Sequence, residues 1–201
     1  MTRKPPEETT RCCCQEPVLE RRTVMIGAAA LLLAGAGPSL ADDEAAKTIR
    51  PQIGDMLVEI GGENDGKPLT ASNLTVGAEP TLAYPADPAT GLVRSGSRVN
   101  QILLARVDPA TLSEEMRKTA ESGIVGYSAI CTHNGCPITS IQEDKHSVIC
   151  NCHGSVFDLS DNGKVLEGPA MRKIARLPLQ VSGETITVAG AFIGSLGPQK
   201  Q

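Results

Sequence analysis

CTHNGCPITSIQEDKHSVICNCHGSVFD, running from Cys131 to Asp158, holds all three histidines of the chain and four of its seven cysteines. Its metal-ligating side chains fall into two boxes: Cys131-Thr132-His133 with Cys136, and Cys150-Asn151-Cys152-His153. Each box offers a cysteine and a histidine one or two residues further on, with one additional cysteine. A zinc site is satisfied by four ligands, typically with cysteines two residues apart, and the first box has Cys-x-His instead. Two cysteines are then left over. In an exported protein, leftover cysteines at matched positions in two boxes suggest a disulfide. His146 stands between the boxes at no matching position and reads as an exposed residue near the start of a strand.

Around the boxes, apolar and β-branched segments alternate with turn residues. Residues 56–60, 81–84, 99–107, 124–130, 147–150, 174–181 and 184–189 read as strands, punctuated by GGENDGK, PADPATG and VSGE. One helix is expected between them. Asp108 can cap it, Pro109 suits its first turn, LSEEMRKTAES is rich in helix formers, and Gly123 can end it. The pattern is all-β, an antiparallel domain with one helical insertion.

The N-terminus reads as an address. A polar leader meets Arg21-Arg22, then an apolar run from Val24 to Leu40 ends in small residues before Asp42. The pair resembles a twin-arginine export signal, with residues 1–41 as the signal and Ala41 as the cleavage point. The alternative is an uncleaved anchor over residues 24–40, at the short end for a hydrocarbon core of ~30 Å. Both place the bulk of the chain outside the cytoplasm, in a bacterial periplasm. Cys12, Cys13 and Cys14 belong to the leader, far from any histidine. Residues 42–55 then form a polar linker, and residues 56–201 the folded domain.

Composition narrows the partners. The formal net charge is −4, without a basic patch outside the N-terminus, which argues against nucleic acid. The aromatics are Tyr84, Tyr127, Phe157 and Phe192 with no tryptophan, which argues against stacking on bases as a purpose and leaves a largely aliphatic core.

The two boxes, C-x-H-x2-C followed by C-x-C-H-G-S, resemble the Rieske iron–sulfur family over Cys131 to Ser155, and Gly168-Pro169-Ala170 resembles its proline loop. The resemblance implies a Rieske-type β sandwich with a cluster-binding subdomain at about residues 127–172. It implies a [2Fe–2S] cluster with Cys131 and Cys150 as thiolates on one iron and His133 and His153 as imidazoles on the other. Cys136 and Cys152 would form the disulfide that ties the loops. Histidine ligation leaves the oxidised cluster neutral, which raises such potentials to about −150 to +300 mV against about −400 mV for plant-type all-cysteine clusters. Both imidazoles retain a second ring nitrogen, so the potential is expected to fall as pH rises.

Ser155 stands where high-potential members place a hydroxyl near the cluster, whereas Phe157 replaces their tyrosine, so one O–H donor is lost and a lower potential is expected. The function implied is one-electron transfer, with no substrate chemistry of the chain's own. Two settings fit: the small subunit of a molybdenum oxidase such as arsenite oxidase, or the iron–sulfur subunit of a quinol:cytochrome c oxidoreductase. The partner is a cytochrome or a larger catalytic subunit, with quinol in the second setting. Asn134 replaces the leucine that commonly follows the first histidine, which speaks against an apolar quinol pocket. A zinc-binding or disulfide-stapled structural module is the reading from another class.

Overall fold

The computed structural model describes residues 40–120 and 122–199. The leader through Ser39, including Cys12 to Cys14 and Arg21-Arg22, lies outside the described residues. Among the described residues no helix is long and apolar enough to cross a membrane.

The strands, in chain order, are β1 (Met56–Glu59), β2 (Thr81–Ala86), β3 (Ile102–Arg106), β4 (Ile124–Ser128), β5 (Ser140–Ile141), β6 (Ser147–Cys150), β7 (Ser155–Asp158), β8 (Lys164–Glu167), β9 (Arg176–Leu177), β10 (Leu179–Ser182) and β11 (Thr185–Val188). A seven-stranded antiparallel sheet runs β10-β11-β1-β2-β3-β4-β9, and a four-stranded antiparallel sheet runs β5-β6-β7-β8. Only Pro178 separates β9 from β10, so the two ends of the large sheet are neighbours in sequence and the sheet curls toward closure. Gly126 in β4 makes the room: a Cβ there would sit 2.9 Å from the Leu179 side chain.

Alternation along β3 explains why that strand is buried on both faces. Ile102 and Leu104 join Leu57, Ala83, Ile124, Leu177 and Ile186 in one aliphatic core. Leu103 and Ala105 face the other way, into a core with Tyr127, Val148, Phe157, Leu159 and Ile174 that joins the large sheet to the small one. Tyr127 and Phe157 are its largest fully buried side chains. Tyr127 donates its O–H to the Leu159 carbonyl at 2.7 Å, and burial pushes its pKa well up, so it stays a neutral donor.

The expected helix over residues 108–123 is much shorter. Asp108 caps only a 3-10 turn at Pro109–Thr111, accepting from the Ala110 N–H, and Leu112 returns to extended backbone. Ser113 then caps a second start, α2 (Glu114–Arg117), which buries Met116. Two N-capping residues five positions apart each begin a turn of their own, and the first cannot propagate through the second.

At the other end, α1 (Leu40–Lys47) occupies the start of the segment expected as linker. The rest of it is fastened down. Asn100 donates to the Ile49 carbonyl at 2.8 Å and accepts from Arg50 at 2.9 Å. Asp55 takes the Arg94 guanidinium in a buried bidentate pair at 2.7 and 3.0 Å, the geometry that makes such pairs strong and specific.

Candidate metal centre

The two boxes lie side by side at the end of the small sheet because each is a tight turn closed by a glycine. In the first, which follows β4, the Gly135 N–H donates to the Cys131 carbonyl at 3.0 Å, with Gly135 at φ +77°. In the second, which joins β6 to β7, the Gly154 N–H donates to the Cys150 carbonyl at 2.9 Å, with Gly154 at φ +74°. That left-handed conformation comes without steric cost only at glycine. The hairpin register pairs Cys150 with Ser155, which lifts Asn151 to Gly154 clear of the sheet as an exposed tip.

A disulfide joins the turns through Cys136 and Cys152, their Cα atoms 6.6 Å apart. Cys131 and Cys150 are free and buried. The sulfurs of Cys136, Cys150 and Cys152 lie within 4.8 Å of one another, but the first and last are bonded together and cannot serve as thiolates. The thiol donors are therefore Cys131 and Cys150. Burial pushes the Cys131 thiol up and the neighbouring Cys150 thiol adds to this, while the backbone N–H of His133 and the Ser155 hydroxyl pull the other way. A cation beside them would deprotonate such thiols outright.

The imidazoles of His133 and His153 meet edge to face, ring centroids 4.8 Å apart and planes at 87°. His153 is exposed and His133 half-buried. The buried Nδ1 of His133 has no hydrogen-bond partner within the chain. A buried polar atom left unpaired costs about 1–3 kcal/mol, and a coordinate bond from this nitrogen removes that cost. Two free thiols and two imidazoles beside them, one with an orphaned ring nitrogen, fit a histidine-and-cysteine-ligated iron–sulfur cluster.

The surrounding groups are close-packed. Ser155 is fully buried, its Oγ accepting from the Ala170 N–H at 3.2 Å, so its own proton remains to be given toward Cys131. Gly168, at φ +85°, lies against the second turn: a Cβ there would meet the Gly154 carbonyl oxygen at 2.5 Å and the Ser155 Cα at 2.6 Å. Gly168 and Pro169 thus lay the 168–170 loop directly on that turn. Phe157 is fully buried in the core that also contains Cys131 and Cys150. His146 is half-buried rather than exposed. It sits within 2.9 Å of the Asp144 carbonyl in the β5–β6 turn, because Asp144 gathers that turn around itself.

Thr132, Arg172 and Gln199 also bear on the first turn, and sequence reasoning missed them. Their contacts run to backbone carbonyls and amides of distant segments, which leave no side-chain signature.

Residues 100–178 match the model of the Rieske [2Fe–2S] domain. The Rieske iron–sulfur subunit of the cytochrome bc1 complex of Streptomyces lividans is 33% identical over 72% of this chain and 85% of its own length. This chain belongs to the Rieske iron–sulfur family. A candidate Rieske subunit of a respiratory nitrate reductase from Haloferax mediterranei is 29% identical over 68% of this chain and 59% of that protein. In other bc1 Rieske subunits the chain spans from 24% to 41% of their length. The crystal structure of a plasma-membrane Rieske protein from Synechocystis aligns over 60% of this chain and 95% of its own, with 25% identity and a TM-score of 0.39. As a Rieske protein this chain carries a [2Fe–2S] cluster and transfers electrons, and its relatives are subunits of respiratory complexes.

Proposed function

We propose that Cys131 and Cys150 hold one iron and His133 and His153 the other, in an exported electron-transfer subunit of a periplasmic respiratory oxidoreductase. The observation that carries this is the layering of the donors: two buried free thiols beneath two imidazoles, one of them on an exposed turn. When bound, the cluster takes up and releases a single electron. The chain's own residues do the rest. The core around Cys131, Cys150 and Phe157 excludes water from the thiol side, and Ser155 offers its proton toward the Cys131 sulfur. His153 reaches solvent, so an electron leaves through an imidazole into whatever docks on that edge.

The exposed tip is polar. Asn134, Asn151 and His153 are all solvent-facing, which suits docking on a cytochrome or a larger catalytic subunit such as a molybdenum oxidase better than insertion into an apolar quinol site. The fastening of residues 49–55 to Asn100 and Arg94 supports the same reading, since that stretch is held rather than free to swing. The bc1-type setting is the second reading, favoured by the Streptomyces relative.

A paramagnetic-resonance redox titration of the iron- and sulfide-loaded full chain tests the ligand set. The expected result is a reduced-cluster signal with a midpoint in the lower part of the range of about −150 to +300 mV, falling at alkaline pH. A midpoint near −400 mV that ignores pH overturns it.

A further inference from the structure

The C-terminal segment, residues 194–199, lies across the first turn and the residues that follow the 168–170 loop. The Arg172 guanidinium grips it at two points, donating to the Gly197 carbonyl at 2.8 Å and the Ser195 carbonyl at 3.2 Å. Gln199 returns the grip: its Oε1 accepts from the Met171 N–H at 3.0 Å, and its own N–H donates to the Thr132 carbonyl at 2.7 Å. Thr132 closes the ring by donating its hydroxyl to the Arg172 carbonyl at 2.6 Å. Upstream, Ile193 and Arg176 exchange two backbone hydrogen bonds at 2.7 and 3.1 Å, so the segment leaves the large sheet at a fixed point. Pro198 then packs over Gly135, 3.5 Å from where a Cβ on that glycine would be.

Two of these bonds end on Thr132, the residue before His133, and the others hold the two segments that make them. Thr132 is 1% exposed and is held at both its hydroxyl and its carbonyl, which fixes the backbone immediately ahead of that imidazole. Among the described residues no such double hold reaches the backbone of the second turn, which rests instead on Gly168 and Ser155 beneath it. Asn151 makes one side-chain bond, to Ser140 at 2.8 Å, and His153 is exposed. A planar guanidinium holding two carbonyls at once sets both position and orientation, which an exposed tail with a single contact would not do.

We propose that the C-terminal segment is a strap, with Arg172 as its positioning residue, that acts through Thr132 to hold His133 in its ligating orientation. The proposal rests on His133 being a cluster ligand. Groups that orient a ligand from behind typically change metal retention by about 10–100-fold when removed.

The test compares the full-length wild type with Arg172→Ala, Arg172→Lys, Thr132→Val and a chain ending at Gly194, all loaded with iron and sulfide. Cluster loss is followed by bleaching of visible absorbance under an excess of ferrous chelator, alongside the reduced-state paramagnetic-resonance line shape and the melting temperature. Arg172→Ala and the shortened chain are expected to lose the cluster about tenfold faster with broadened lines, and Arg172→Lys to fall between. Wild-type loss rates and line shapes, with only a lowered melting temperature, overturn the proposal and leave the strap a purely structural brace. Should Arg172→Ala not fold, Thr132→Val and the shortened chain decide by the same two readouts. A wild type that never shows a histidine-ligated signal sinks the ligand assignment itself, and the strap with it.

Discussion

The two turns that carry the donor residues share one plan and differ in how they are supported. Both close on the carbonyl of a buried free cysteine through a glycine in left-handed conformation four residues on. The first turn is walled in: Cys131 N–H donates to the Cys136 carbonyl at 2.8 Å, Arg98 donates to the Gly135 carbonyl at 3.2 Å, and Thr132 is pinned from two sides. The second is a hairpin tip with four exposed residues, braced from beneath by Ser155 and Gly168. His133 is thereby half-buried beside the braced turn, while His153 stands exposed at the tip. A site that must keep a cluster and also pass its electron outward needs both kinds of support.

The largest effect expected is shared by the turns. Cys131→Ser, Cys150→Ser, His133→Ala and His153→Ala should each abolish the native cluster, read as loss of visible absorbance and of bound iron and sulfide. A His153 variant that keeps the wild-type spectrum would break the pairing. Next comes the disulfide, which couples the two turns. Cys136→Ser and Cys152→Ser should each lower stability by about 3 kcal/mol, the chain-entropy value for a loop of roughly 15 residues, against the observed separation of 16. Denaturant titration measures it, and the cluster should decay faster in both variants.

Glycine substitutions sharpen the contrast in support. Gly168→Ala adds backbone strain to a collision with the Gly154 carbonyl and should cost about 2–4 kcal/mol. Gly154→Ala meets nothing within 4 Å and should cost only about 1–2 kcal/mol, the price of the left-handed backbone alone. Equal values for the two would show that the 168–170 loop does not press on the tip.

Ser155→Ala should lower the midpoint by about 60–130 mV, the loss of one charge-assisted hydrogen bond of 1.5–3 kcal/mol converted at 59 mV per tenfold for one electron. The smallest effect belongs to the β5–β6 turn. Burial raises the Asp144 carboxyl, but hydrogen bonds from the Ser147 hydroxyl and from the His146 and Ser147 amides outweigh it and hold its pKa below the usual range. A depressed folded-state pKa means that its contribution is present above about pH 4 and is lost as pH falls through the folded value. Asp144→Asn should therefore lower stability modestly at pH 7 and flatten the acid limb of the stability–pH curve, the two proteins converging once pH falls below the folded-state value.

Much of this was legible in the sequence where a side chain carries the information. The resemblance of the two boxes to the Rieske family implied the Cys136–Cys152 disulfide that the structure shows, and β-branched runs located β1, β2, β4, β6 and β11. Lys164–Glu167 was missed because three of its four residues face solvent and show no alternation. Ser155–Asp158 was read only as box and core residues, although it pairs with β6 along its whole length. Asp108 marked only a 3-10 turn, and Ser113, which caps the helix itself, was not read as a start. The strap left no trace, since Arg172 and Gln199 act on carbonyls and amides of segments that only the folded chain brings together.

The most direct test of the ligand assignment is pulsed paramagnetic resonance on the reduced full chain carrying 15N-histidine. With only three histidines in the sequence and His146 engaged in its own turn, we expect two inequivalent coordinated nitrogens, both retained in His146→Ala. A reduced cluster with one nitrogen coupling or none would contradict the assignment of one imidazole from each turn.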